Sequence, residues 1–156
     1  MRIGQGYDAH KIIPGSEMTL GGVVIECDYS IEAYSDGDII IHSLIDALLG
    51  AAAYGDLGLF FPSEDKSIEG ISSVSMLSTV YEKMQIDGYK IINIDLTYVG
   101  QVPKLIHYRE KIRESLSGLL SMDIKDISCK ATTTDGLGFE GNAEGISCHC
   151  VVLIDR

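Results

Sequence analysis

The sequence predicts an α+β fold: a small mixed β-sheet with helices packed on one face. Segments with period-two and period-3.6 apolar spacing alternate irregularly along the chain and begin with a hairpin. Three of the segments are helical. With 46% hydrophobic and 22% charged residues over 156 positions, the chain is long and apolar enough to bury one real core without disulfides or structural metal. Residues 1–156 therefore read as a single domain, with no repeat and no Pro/Ser/Gly-rich linker. The second sheet face needs a cover, and another subunit is expected to supply it.

Residues 2–13 read as a strand entering a turn at "IPGSE". "MTLGGVVIEC" (18–27) reads as a second strand, with Gly21-Gly22 as a bend or bulge. Residues 38–53 read as a helix; Ser35 and Asp38 match the S-x-x-[DE] capping box, and Gly55 supplies a stop. "GDLGLFFPSEDKS" (55–67) reads as an aromatic-tipped loop, too apolar for a solvated connection. A second amphipathic helix covers 72–86, with Met76, Val80 and Met84 in the core and Gly88 beyond its end. Residues 89–101 read as a strand. Residues 105–121 read as a third helix, with Leu105, Ile112, Leu116 and Leu119 near a 3.6 period. "DISCKATTT" and "GISCHCVVLID" are the last two strands, joined by a Gly-rich turn.

Charge narrows the function classes. A net charge of −11 repels nucleic acid and anionic membrane, so neither is expected as a partner. An anionic ligand would need local positive charge from lysine or metal. No apolar run approaches the roughly 20 residues that span a bilayer. "MRIGQGYDAH" opens as a strand rather than a signal or transit segment. Cys27, Cys129, Cys148 and Cys150 show no CxxC spacing, which points to a reduced, cytoplasmic setting.

Four stretches carry chemistry. In "GQGYDAH", Asp8 and His10 share a strand face about 6.5–7 Å apart at Cα, and Gly4 and Gly6 on that face would leave room above a cation. Alone, that spacing fits a surface Asp–His pair better than a ligand set. His42 changes the balance. Asp38, His42 and Asp46 form an i, i+4, i+8 row through an otherwise apolar helix. Either the row is hydrogen-bonded along the helix, or His42 joins Asp8 and His10 as the third ligand of an open tetrahedral zinc site, with Asp46 behind it. The sequence leaves both open. Pro103-Lys104 at a strand exit offers backbone amides and one ammonium to a phosphate or a base edge, though a plain turn explains it as well. Thr132, Thr133 and Thr134 with Asp135 offer hydroxyls and a carboxylate to phosphate and a hard cation; a β-rich segment ending in a turn also explains them. Cys148-His149-Cys150 is not a metal site, because His149 points away from both cysteines in a strand.

Taken together, "GYDAH", "SDGD" with His42, "DALLGAAAYGDLG", "FPSED", "PK", "KATTT" and "LGFEG" resemble the 2-C-methyl-D-erythritol 2,4-cyclodiphosphate synthase family over essentially the whole chain. The resemblance implies a metal-dependent phosphorus–oxygen lyase of the non-mevalonate isoprenoid pathway, forming the cyclic diphosphate and CMP from 4-diphosphocytidyl-2-C-methyl-D-erythritol 2-phosphate. It implies a homotrimer around a central cavity with active sites between subunits. Zn²⁺ would sit on Asp8, His10 and His42, and a second divalent cation, Mg²⁺ or Mn²⁺, near Asp135. Substrate would meet Asp8, Ala9, His10, Tyr34, Ser35, Asp56, Leu57, Gly58, Phe61, Pro62, Ser63, Glu64 and Asp65. The cytidine diphosphate part would meet Gly100, Gln101, Val102, Pro103, Lys104, Leu105, Ile106, Ala131, Thr132, Thr133, Thr134 and Asp135, with Phe139 and Asn142 nearby. Thr133 and Tyr34 would steady the transferring phosphate.

Three positions depart from the family pattern. Tyr34 stands where histidine is usual and carries no imidazolium charge. Asp135 stands where glutamate is usual, and "GNAEG" puts Asn142 where a cation is usual. Two further readings accompany the first: a low-turnover member that binds metal and cytidine nucleotide, and a zinc phosphohydrolase.

Overall fold

The computed structural model describes residues 1–33, 35–62 and 70–156. Its centre is a five-stranded mixed sheet in the order β4-β1-β7-β5-β6, so the expected α+β class holds. β7 (Gly145–Asp155) runs antiparallel to both β1 (Arg2–Pro14) and β5 (Lys90–Val99), whereas β6 (Ile127–Thr132) runs parallel to β5. That parallel pair requires a crossover. It is made by α4 (Arg109–Leu120), which buries Ile112, Leu116 and Leu120.

Burial along β1 and β7 alternates, which separates two faces. Gly4, Gly6, Ile12, Cys148, Cys150, Val152 and Ile154 point into the core. Ile3, Tyr7, His149 and Val151 point the other way and are exposed, Ile3 at 72%. The helices α1 (Ile39–Ala52), α3 (Ser73–Ile86) and α4 cover only the first face. α1 lies directly on β1 and β7, with α3 against it, and nearly every residue of α1 is buried. This explains why its sequence is apolar all round rather than amphipathic. Among the described residues, no helix is long and apolar enough to cross a membrane.

Several boundaries differ from the sequence expectation. Residues 18–27 are not one bulged strand. They form a hairpin of β2 (Glu17–Leu20) and β3 (Val23–Glu26) in a separate two-stranded sheet. Gly21 and Gly22 both have positive φ, 61° and 75°, as a two-residue type I′ turn requires. A short strand, β4 (Tyr29–Ile31), adds to the β1 edge. The third helix begins as a 3₁₀ turn, Leu105–His107, before α4 proper. Two single-turn helices, α2 (Leu57–Phe60) and α5 (Gly138–Gly141), occupy segments expected to be loop or turn. One turn is too short to generate a periodic signal.

The caps of α1 also differ. Its C-cap is Ala53, held left-handed at φ 60°, and not Gly55. Its N-cap is Asp38 rather than Ser35. Asp38 is fully buried and accepts four backbone N–H groups: Ile40 (3.2 Å) and Ile41 (3.1 Å) from the helix, and Gly21 (2.8 Å) and Gly22 (2.7 Å) from the hairpin turn. One carboxylate thus caps the helix and pins the hairpin to it. Burial raises its pKa to about 6, against the pull of those donors and with a further push from Asp36. The folded state then holds a proton that the unfolded chain releases near its ordinary value of 3.8. Stability contributed by this group therefore falls as pH rises from about 4 to about 6 and is flat above that. Denaturant midpoints of wild type minus Asp38→Asn across this range are expected to trace that decline, and a pH-independent difference would contradict it.

Candidate functional site

The β1 alternation carries Asp8 and His10 onto the helix-covered face, and α1 brings His42 to the same seam. His10 Nε2 and His42 Nδ1 each lie 3.0 Å from Asp8 Oδ2, and 3.3 Å from one another. Ligand distances of about 2.0–2.1 Å place tetrahedral donor atoms about 3.3 Å apart. The three edges are close to that value, so the residues fit a zinc-sized cation. It is the only such His/Cys/Asp/Glu group among the described residues. Burial raises the Asp8 pKa, but the hydrogen bonds and charges of His10 and His42 outweigh it and take the carboxyl down to about 2. Asp8 is therefore anionic at neutral pH, as a ligand must be.

Three details of the sequence reading change. Gly4 and Gly6 do not leave space above a cation. A Cβ on Gly6 would stand 1.9 Å from Ser43 O, and one on Gly4 would stand 1.9 Å from Ala47 O. Their empty faces are filled by α1 itself. Asp38, His42 and Asp46 do not form a hydrogen-bonded row, because Asp38 is spent on the cap. Asp46 does not stand behind a ligand either; its Oδ1 accepts the Leu57 N–H at 2.7 Å and anchors α2. The outer face of His42 is held instead by serine. His42 Nε2 lies 2.9 Å from Ser73 Oγ and 3.5 Å from Ser35 Oγ. Ser73 and its carboxylate partner Asp36 were not singled out in the sequence, where a serine at the start of a helix signals only a cap.

The second candidate region gathers at the same end of the sheet. Ala9 pairs with Ser147, Ser147 with Val99, and Val99 with Thr132. Three strand spacings place Thr132 about 14 Å from Ala9. A cavity of about 280 Å³ there is lined by Gly100, Pro103, Lys104, Ile106, Thr132 and Thr133, among others. Arg109 also lines it, a cation that the sequence reading did not single out. The Tyr98 hydroxyl donates to Val102 O at 2.7 Å and fixes the loop that carries Gln101 and Val102. Asp135 is exposed in a left-handed conformation (φ 56°), its N–H 3.4 Å from Thr133 Oγ1, and lies apart from the Asp8 group. Ala9, His10, Phe139 and Ala143 line a further cavity of about 670 Å³ beside His10. Asn142 follows α5 as its C-cap.

Asp56 caps α2, accepting from Leu59 N at 2.9 Å, so Leu57 and Gly58 are set by a turn rather than a free loop. Phe61 and Pro62 follow it. Tyr34, Ser63, Glu64 and Asp65 lie outside the described residues. His149 points away from Cys148 and Cys150, as expected, and its ring packs 4.8 Å from that of Tyr7.

Comparison with known proteins agrees with this geometry. The YgbB family profile matches residues 1–155. A 2-C-methyl-D-erythritol 2,4-cyclodiphosphate synthase from Moorella thermoacetica is 46% identical over 154 residues, covering 99% of this chain and 94% of its own. One from Clostridium botulinum is 43% identical over 155 residues, 99% of this chain and 100% of its own. The IspF protein of Plasmodium falciparum, solved as a CDP complex, superposes with a TM-score of 0.87 at 36% identity, covering 98% of this chain and 94% of that one.

Proposed function

The chain belongs to the YgbB family of 2-C-methyl-D-erythritol 2,4-cyclodiphosphate synthases, and from this we propose how its residues divide the work of a cyclodiphosphate synthase in isoprenoid precursor formation. The substrate is 4-diphosphocytidyl-2-C-methyl-D-erythritol 2-phosphate. A 2-phosphate oxygen bonds to the β-phosphorus, the bond from that phosphorus to the CMP oxygen breaks, and CMP leaves with the electron pair. The observation that carries the assignment is the convergence of Asp8, His10 and His42 at 3.0–3.3 Å.

The attacking phosphate is already an anion, so no strong base is required. Catalysis rests on folding the substrate back on itself and on neutralising charge as it moves. Zn²⁺ held by Asp8, His10 and His42 would supply Lewis-acid polarisation of a phosphoryl oxygen. Lys104, Thr132, Thr133 and Thr134 hold the nucleotide diphosphate, and Arg109 adds a second positive charge to that cavity. Asp135 would hold a second cation, Mg²⁺ or Mn²⁺, that neutralises diphosphate charge. Thr133 donates a hydrogen bond to the transferring phosphate, and residues 56–58 with Phe61 and Pro62 meet the methylerythritol part. In a chain of net charge −11, these local cations are what make an anionic substrate acceptable.

The exposed sheet face, with Ile3, Tyr7 and Val151, supports a homotrimer in which three such faces line a central cavity. The nucleotide cavity of one subunit then meets the Asp8 group of its neighbour. The four free cysteines support a reduced, cytoplasmic setting.

Phosphorus NMR of the purified protein with substrate, Zn²⁺ and Mg²⁺ tests this reading. Cyclic diphosphate and CMP are expected. Free inorganic phosphate would instead mark a zinc phosphohydrolase, and bound but unchanged substrate a low-turnover binder. Lys104→Ala is expected to raise KM by about tenfold or more, the equivalent of one lost charge-assisted hydrogen bond, with an unchanged melting curve. An unchanged KM would remove Lys104 from the site.

A further inference from the structure

We infer that Asp36 and Ser73 form a positioning relay that locks His42 into its Nε2–H tautomer and so presents the Nδ1 lone pair to the metal. The inference rests on the metal reading proposed above; the placement of one hydroxyl between Asp36 and His42 does not depend on it.

Ser73 opens α3 and is fully buried, and its hydroxyl lies between two groups. On one side is a carboxylate oxygen, Asp36 Oδ1, in a short contact; on the other is His42 Nε2, at 2.9 Å. An ionised carboxylate only accepts, so the single hydroxyl proton of Ser73 goes to Asp36. The Ser73 oxygen is then left as an acceptor, and the 2.9 Å contact is a hydrogen bond only if His42 Nε2 carries the proton. With Nε2 engaged as the donor to Ser73, Nδ1 is the nitrogen left to a metal. That Nδ1 faces Asp8 Oδ2 at 3.0 Å and His10 Nε2 at 3.3 Å. A cation held there takes the place of the Nδ1 proton through which His42 otherwise hydrogen-bonds Asp8.

The relay is itself held in place. Asp36 Oδ2 accepts the Ser73 N–H at 3.0 Å, and Oδ1 also accepts the Asp38 N–H at 3.3 Å. One carboxylate therefore ties the approach to α1 to the first residue of α3. Ser35, the other hydroxyl near Nε2, already accepts from Gly37 N at 3.2 Å and sits farther off, so it plays the lesser part. The usual partner of a metal-bound histidine is a carboxylate or a backbone carbonyl. Here the carboxylate acts through an intervening hydroxyl, with α3 supplying the connecting residue.

Two measurements test the relay. Long-range ¹H–¹⁵N correlation of histidine-labelled, zinc-loaded wild type is expected to show His42 with its proton on Nε2. Ser73→Ala should weaken or lose that ordered Nε2–H signal. Zinc dissociation constants from competition with a chromophoric chelator should weaken by about 10–100-fold in Ser73→Ala and in Asp36→Asn, at unchanged circular dichroism. An Nδ1–H signal in the wild type, or wild-type zinc affinity in folded Ser73→Ala, would overturn the relay. A wild type that binds no zinc, while Ser73→Ala still moves the His42 Nε2 resonance, would overturn the metal assignment and leave the relay standing.

Discussion

Turnover of a His42→Ala protein is expected to fall by about a thousandfold or more, with its fold retained. Polarising a phosphoryl oxygen contributes several kcal/mol of transition-state stabilisation, and each 1.4 kcal/mol is about tenfold in rate. Removing one of three ligands leaves Asp8 and His10, a pair that Asp–His contacts on ordinary surfaces also provide. The variant should purify with zinc well below one equivalent per chain, and added stoichiometric zinc should not restore it. Dialysis of the wild type against a chelator should reproduce the loss, and zinc should reverse it there. Full zinc content with wild-type turnover would remove His42 from the site. His42 is buried, at 7% exposed, so the melting curve of the variant is recorded beside its kinetics to separate loss of zinc from loss of packing.

The elements of this site were unequally legible in the sequence. A two-residue period puts Asp8 and His10 on one strand face whatever surrounds them, and a histidine inside "DIIIHSLID" interrupts an apolar run conspicuously. Both signals are local and both held. What failed was relational. The tandem glycines of "LGGV" read equally as a bulge or as a turn, because the residues on both sides are apolar; only the pairing of Met18 with Ile25 decides it. Ser35 and Asp38 are both good caps, and the choice falls to Asp38 because the hairpin turn supplies two more N–H donors from outside the local sequence. Helical spacing places Asp46 behind His42, but α2, a single turn with no sequence signature, claims its carboxylate. Ser73 reaches His42 across 31 positions, and no periodicity links them. Glycine in a strand signals that something approaches closely without saying what. For Gly4 and Gly6, the answer is a helix.

Gly6→Ala is expected to destabilise the protein by about 4 kcal/mol or more, lowering the melting midpoint by roughly 10 °C. A Cβ at this position would stand 1.9 Å from Ser43 O, 2.7 Å from Ala47 N and 2.9 Å from Ser43 C. All three are backbone atoms of α1, so no side-chain rotation relieves the overlap, and the helix would have to lift by about 1 Å or more from β1. α1 is the most buried element of the chain, with the sheet beneath it and α3 against it, so a shift of that size disturbs packing on both sides. Gly50→Ala provides the contrast. It lies in the same helix, but the nearest atom to its added Cβ is Gln5 O at 4.0 Å, and a helical alanine there should be neutral or stabilising by up to about 1 kcal/mol. The same lift would draw His42 away from Asp8 and His10, which β1 carries, so zinc affinity should fall together with stability although no ligand has changed. Melting of the metal-free Gly6→Ala protein within about 2 °C of wild type would show that the seam yields without cost. The two glycines would then not be what sets the distance between the ligands on β1 and the ligand on α1.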